Sequence, residues 1–233
     1  MDETSSAGAT LNENAGLRQR RLSAIELLCA ITAMFVLFPF VEHLRSAALI
    51  ESILLTIVLI SAVVAVASEK RVLMVALVLA LPTLLARWVH HFRPDLLPPE
   101  IFLVGGIALV VLVIASLLRF VMTASSVTTE VLSAGISAYL LLGVAWTFAY
   151  WLVAEVIPDA FAFNASIKGE MSIQGFDGFY FSFITLTTVG YGDISPVSKV
   201  ARMLAAMEAI TGPLYLAVLI ARLVALRAVP KST

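Results

Sequence analysis

Six stretches of this chain are each long and apolar enough to cross a hydrocarbon core of about 30 Å as one helix, and nothing else in the sequence constrains the fold as much. They lie near 22–42, 47–67, 72–91, 100–122, 131–157 and 199–227. Charge or turn chemistry marks the breaks: Glu42-His43, Ser68 to Arg71, Arg93-Pro94-Asp95 with Pro98-Pro99, and Thr123 to Glu130. Hydrophobic residues make up 61% of the 233 and charged residues 13%. A soluble domain of this size cannot bury so much apolar side chain, so a bilayer is the solvent. Residues 1–21 read as a polar cytoplasmic tail, disordered over Asp2 to Asn14. The apolar run after Arg18, Arg20 and Arg21 spans rather than being cleaved, since no small-residue cleavage site follows it. An even number of spans puts both termini on one side. With the termini inside, nine of the 15 Lys and Arg fall on the inner side and six on the outer. The densest cluster directly precedes the first span, which assigns the termini to the cytoplasm.

The segment 157–198 interrupts the pattern, being too short and polar for two further spans. Pro158 to Phe176 reads as an extracellular turret. Asp177 is placed to cap a short helix from Gly178 to about Thr187. Such a helix dips into the membrane, and the chain climbs back out through Thr188-Val189-Gly190-Tyr191-Gly192-Asp193. Irregular backbone at that depth is tolerable only where protein buries it or where it lines a watery path. A pore for a dehydrated cation needs oxygens in place of the water shell, and backbone carbonyls supply them. An ordinary strand alternates its carbonyls between two sides. Gly190 and Gly192 can take positive φ, which lets successive carbonyls point one way. Thr188 adds a hydroxyl, and the carbonyl end of the short helix favours a cation at the bilayer centre. One strand offers oxygens from one side only, and the chain holds no second copy. Four chains around an axis complete the cage, so a homotetramer is expected.

Thr188 to Gly192, Thr-Val-Gly-Tyr-Gly, resembles the selectivity filter of potassium channels, and the resemblance runs over 131–227 as a pore domain of outer helix, turret, pore helix, filter and inner helix. It implies an all-α membrane protein of six transmembrane helices with a re-entrant pore helix and filter loop, assembled as a tetramer. Its expected activity is passive, selective conduction of K+ between sites on the carbonyls of Thr188, Val189, Gly190 and Tyr191, with the Thr188 hydroxyl below and Gly192 closing the row. Asp193 stands where the family places an acid behind the filter. Many members set an aromatic N–H against that acid. Here Tyr180 and Phe181 hold the matching positions, so the Tyr180 hydroxyl is expected to make the contact. Gly212 sits at the spacing of the family's gating hinge. Pro213 beside it frees the carbonyl of Ala209 and invites a kink. By the same resemblance Leu216 and Ile220 face the cavity or lower gate.

Residues 22–122 resemble the four-helix peripheral domain of six-helix channels, with one departure. A voltage sensor needs arginines at every third position of its fourth helix, each worth about 2.3 kcal/mol per 100 mV. Residues 101–120 hold Arg119 alone, near the inner edge. Strong voltage gating is therefore not expected. Residues 228–233 read as a short tail, which leaves no room in this sequence for a ligand-binding domain after the inner helix.

Several residues invite a second reading. Four copies of Glu208 could form an acidic ring, but the cavity lining is expected further along. The structural reading, hydrogen bonds from Thr185 or Thr187, is preferred. His90 and His91 are adjacent and so do not face one another on a helix; anchoring beside Trp88 at the interface suits them better. Tyr139, Trp146, Tyr150 and Trp151 read as packing residues, and Cys29 as a packed thiol within an apolar run. No nucleophile–histidine–acid pattern, metal-ligand spacing or phosphate loop occurs, so neither an enzyme nor a cofactor is expected beyond K+ as the permeant ion. A net charge of -1 gives no basis for nucleic acid. The expected partners are further copies of the chain and membrane lipids, in the plasma membrane. Two alternatives stay open: a weakly selective cation channel whose filter Tyr180 holds too loosely, and a non-conducting subunit or scaffold with a pore-like fold.

Overall fold

The computed structural model describes residues 24–41, 47–67, 69–164 and 172–228. The arginine-bearing N-terminal tail, the turret charges Lys168 and Glu170, and residues 229–233 lie outside the described residues. Six helices are long and apolar enough to cross a membrane, and the protein is an integral membrane protein. They are α1 (Ala24–Val41), α2 (Ala47–Ala65), α3 (Lys70–Phe92), α4 (Glu100–Thr123), α5 (Thr129–Val156) and α7 (Lys199–Ala228), and their ends differ from the apolar stretches by at most two residues. Between α5 and α7 lie β1 (Phe161–Phe163), the short helix α6 (Phe176–Leu186) and β2 (Ile194–Pro196).

Each helix buries the stripe that its sequence spacing dictates. In α1 this is Leu27, Ile31, Met34, Phe38 and Val41, recurring every three or four residues. The stripe carries α1 onto α6: the Phe35 ring meets Phe179 and Phe183 at centroid distances of 4.7 and 4.4 Å, and Phe38 meets Phe179 at 5.3 Å. Cys29 is exposed on the outward side of α1 and does not pack inside the chain. The α4 stripe, Phe102, Leu109, Val113 and Leu117, packs on α5, which is the most enclosed of the spanning helices. At the start of α5 the Thr128 hydroxyl accepts from the Val131 N–H, capping the helix. On α4, Arg119 lies exposed near the C-terminal end.

α7 is the opposite of α5. Met203, Met207, Ile210, Leu214, Val218 and Val224 all stand exposed along it. A second, smaller core of Tyr150, Phe161, Phe181, Ile184, Ile194 and Ala201 sits where α5, α6, α7 and the two strands converge.

Two local features depart from expectation. α6 begins at Phe176, so Asp177 lies inside its first turn and is not its cap. Gly175, at φ 62, occupies the cap position and turns the chain into the helix earlier. The turret also contains a strand: β1 pairs antiparallel with β2, Phe161 opposite Pro196 and Phe163 opposite Ile194. Three-residue strands are too short to display an alternating pattern, so no sequence signal marks them.

Candidate functional site

The last turn of α6 closes by hydrogen bonds that also shape the segment after it. The Thr188 N–H donates to the Thr185 carbonyl at 2.9 Å and the Val189 N–H to that of Ile184 at 2.9 Å. With Thr187 as C-cap, this is the two-bond Schellman closure of a helix. The Gly190 N–H also turns back to Ile184, at 3.1 Å. Three consecutive N–H groups are thus consumed by the helix, while among the described residues no hydrogen bond ends on a carbonyl of Thr188 to Gly192.

Along this segment φ alternates in sign. It is 60° at Thr188, 55° at Gly190 and 76° at Gly192, and Val189 and Tyr191 are not in the positive region. A strand keeps φ negative throughout and alternates its carbonyls between two sides; reversing the sign at every second residue departs from that pattern. The sequence points to positive φ at the two glycines but not at Thr188. A β-branched residue with positive φ is a genuine outlier, and the left-handed region costs an L-residue roughly 1–2 kcal/mol. Glycine is usual at that place in the closure, and nothing local in the sequence announces the exception.

The C-terminal end of the segment is tied down by Asp193. Its carbonyl accepts from the Asn164 N–H at 2.8 Å, just beyond β1, and its Oδ1 accepts from the Ile194 N–H at 3.0 Å. Its Oδ2 accepts from the Tyr180 hydroxyl at 2.7 Å. Burial first, and then the bond to Asp193, push the Tyr180 phenol up to about 12. Phe181 points elsewhere, its ring 4.9 Å from Tyr150 and 5.6 Å from Phe161 in the small core. The segment itself lies bare on the protomer: Val189 is 53% and Tyr191 73% exposed.

Behind α6, the wholly buried Glu208 accepts a hydrogen bond from the Tyr150 hydroxyl, and its Oε1 lies 2.6 Å from the Ser182 hydroxyl. Thr185 and Thr187, expected as its partners, are not. The Thr187 hydroxyl bonds back to the Phe183 carbonyl at 2.6 Å, and Ser182 is the hydroxyl on the face of α6 that meets α7. Tyr150, read as packing, is here a polar partner as well.

α7 runs unbroken through Gly212 and Pro213. Gly212 is buried with its Cα against the Leu186 carbonyl oxygen. Leu216 and Ile220 are exposed on α7, uncovered by the rest of the chain. Further along, the Tyr215 hydroxyl donates to the Gly135 carbonyl at 2.6 Å. The Arg222 guanidinium donates to the carbonyls of Met122 and Ala124, both at 2.7 Å, where a cation suits the C-terminal end of α4. At the other end of the peripheral helices Arg87 pairs with Glu51 at 3.1 Å, and the His90 Nδ1 lies 3.0 Å from the Leu97 carbonyl oxygen. Among the described residues no group of three or more His, Cys, Asp and Glu is arranged to hold a metal ion.

Residues 127–227, from just before α5 to the end of α7, match the protein-family model described as ion channel. A stretch of 68 residues is 38% identical to two pore potassium channel b of Oryza sativa subsp. japonica; it covers 29% of this chain and 16% of that protein. The chain therefore spans a small part of the length of this relative. The matched family is one of channels and not of enzymes. Over its α5–α7 region, this integral membrane protein is similar to ion channels.

Proposed function

We propose that the protein is a potassium-selective channel that passes K+ passively through a filter built by four copies of Thr188 to Gly192. The observation that carries this reading is the alternation of φ along the segment, together with the three N–H groups turned back into α6. Among the described residues no hydrogen bond is spent on the carbonyls of Thr188 to Gly192, and these oxygens, turned to one axis, are suited to replace the shell of a dehydrated cation. The carbonyls of Thr188, Val189, Gly190 and Tyr191 are the ion sites, with the Thr188 hydroxyl at the inner end. Four copies around an axis supply the missing sides of the cage. The bare filter edge and the exposed apolar face of α7 support that association, and Leu216 and Ile220 on this face line the cavity and lower gate. Similarity to a protein named as a potassium channel favours K+ over other cations.

In this reading α6 is a re-entrant pore helix, Asp193 and Tyr180 support the filter from behind, and Gly212 with Pro213 is the bending point of the inner helix. Residues 22–122 form a peripheral four-helix domain without voltage-sensing charge. Both termini are cytoplasmic and the membrane is the plasma membrane.

A reversal potential measured in reconstituted bilayers under a potassium-versus-sodium gradient tests the proposal. The expected value lies near the potassium equilibrium potential. A value near zero would replace the reading with a weakly selective cation channel. An assembled protein that carries no current under any condition would be a non-conducting scaffold.

A further inference from the structure

Glu208 is buried in the membrane-spanning part of the protein, and the proposed conduction path makes no use of it. The positions of its neighbours decide its protonation by a count of hydrogens. A serine hydroxyl carries one proton. The Ser182 oxygen lies 2.6 Å from Glu208 Oε1 and 2.8 Å from the Gly143 carbonyl oxygen, which can only accept. Were Glu208 a carboxylate, Ser182 would face two acceptors with one proton, and one contact would be two bare oxygens at hydrogen-bond distance. With the proton on Oε1 every contact is filled. Glu208 donates to Ser182, Ser182 donates to Gly143, and Tyr150 donates to Glu208 Oε2.

The surroundings agree. Glu208 is 0% exposed within a single protomer, so neither water nor another copy reaches it. The groups acting on it are the hydroxyls of Tyr150 and Ser182, with Tyr139 further off on α5 and no basic side chain among the described residues. A carboxylate enclosed this way, without a cation, is far costlier than the neutral acid.

The geometry points to Glu208 as a positioning residue that works as the neutral acid, locking the inner helix α7 to α6 and, through Ser182, to α5. Two contacts set the register. Glu208 meets Ser182, and one turn later on both helices Gly212 meets the Leu186 carbonyl. The second contact lies two residues before Thr188. A proton on Glu208 thus holds the helix from which the filter springs. Loss of that proton would turn the Ser182 hydroxyl toward Glu208 and release its bond to Gly143. The consequence for the filter rests on the channel reading; the protonation and the lock do not.

The test compares wild type with Glu208→Gln and Glu208→Ala. Glutamine reproduces the neutral acid's pattern, an N–H toward Ser182 and a carbonyl toward Tyr150, whereas alanine offers neither. Infrared spectra of the purified wild type at neutral pH should contain a carboxylic-acid C=O band that Glu208→Gln lacks. Glu208→Gln should keep the melting temperature and reversal potential of wild type, while Glu208→Ala lowers the first and moves the second toward zero. The absence of an acid band in the difference spectrum, or a glutamine variant as damaged as the alanine one, would overturn the assignment. If the wild type itself carries no current, the channel reading fails, yet the infrared band and the order of melting temperatures still decide the lock.

Discussion

Gly212 holds its Cα against the carbonyl oxygen of Leu186, so close that a Cβ built on it would overlap that oxygen. α7 therefore bears directly on the last turn of α6, the helix that leads into the proposed filter. An alanine here must push the two apart, and overpacking of this kind typically costs about 1–3 kcal/mol. Gly212→Ala is expected to alter ion preference as well as open probability. Single-channel recording separates the two, and a change confined to opening would make the residue a hinge and nothing more.

Tyr180→Phe removes one hydrogen bond to Asp193 while keeping the ring. The stability loss should be small, about 1 kcal/mol, but in the proposed channel potassium-over-sodium preference should fall, because Asp193 also anchors one end of the proposed filter. The raised phenol makes the effect depend on pH. The proton is held more tightly in the folded protein, so the contribution of the bond is complete below pH 10.0 and is lost as pH rises through about 12. Alkaline titration of wild type and variant should show their difference vanishing over that window. A constant difference would mean that the hydroxyl proton is not what matters.

Thr188→Gly separates backbone from side chain. Glycine relieves roughly 1–2 kcal/mol of left-handed strain but loses about 0.5–1 kcal/mol more backbone entropy on folding, so the melting temperature should change little. The hydroxyl at the inner end of the carbonyl row disappears, and unitary potassium conductance should drop severalfold. Unchanged conductance would remove that hydroxyl from the ion path.

Arg222→Gln weakens the tie between the inner helix and the end of α4, where two carbonyls each accept at 2.7 Å. Charge-assisted contacts of this sort contribute about 1–2 kcal/mol. Open probability should change while the reversal potential stays put. A shifted reversal potential would mean that the tie acts on the filter and not on the inner end of the helix.

The spanning helices were legible because twenty apolar residues in a row have few other uses, and their ends fell within two residues. The positive φ of Gly190 and Gly192 was legible because glycine is the residue that takes this region without cost. What escaped the sequence depended on rotation and on long-range pairing. Which hydroxyl of α6 meets Glu208 is set by how the helix is turned about its axis, and Ser182 and Thr185, three residues apart, look equivalent until the neighbouring helices are in place. Thr188 takes a glycine's conformation at the place where the closure of α6 asks for one, and its own residue type argues against it. The β1–β2 pair joins residues more than thirty positions apart through three-residue strands, and no local signal can announce it.

That strand pair has a consequence for how the proposed tetramer would be made. The segment from Thr188 to Gly192 is pinned at one end by the closure of α6 and at the other by Asn164, Tyr180 and the strand β2. Both anchors belong to the same chain. The chain entropy of shaping this segment is therefore lost when each protomer folds, not when protomers meet. Association in the proposed tetramer then joins finished quarters with little left to order, as a preorganised interface does.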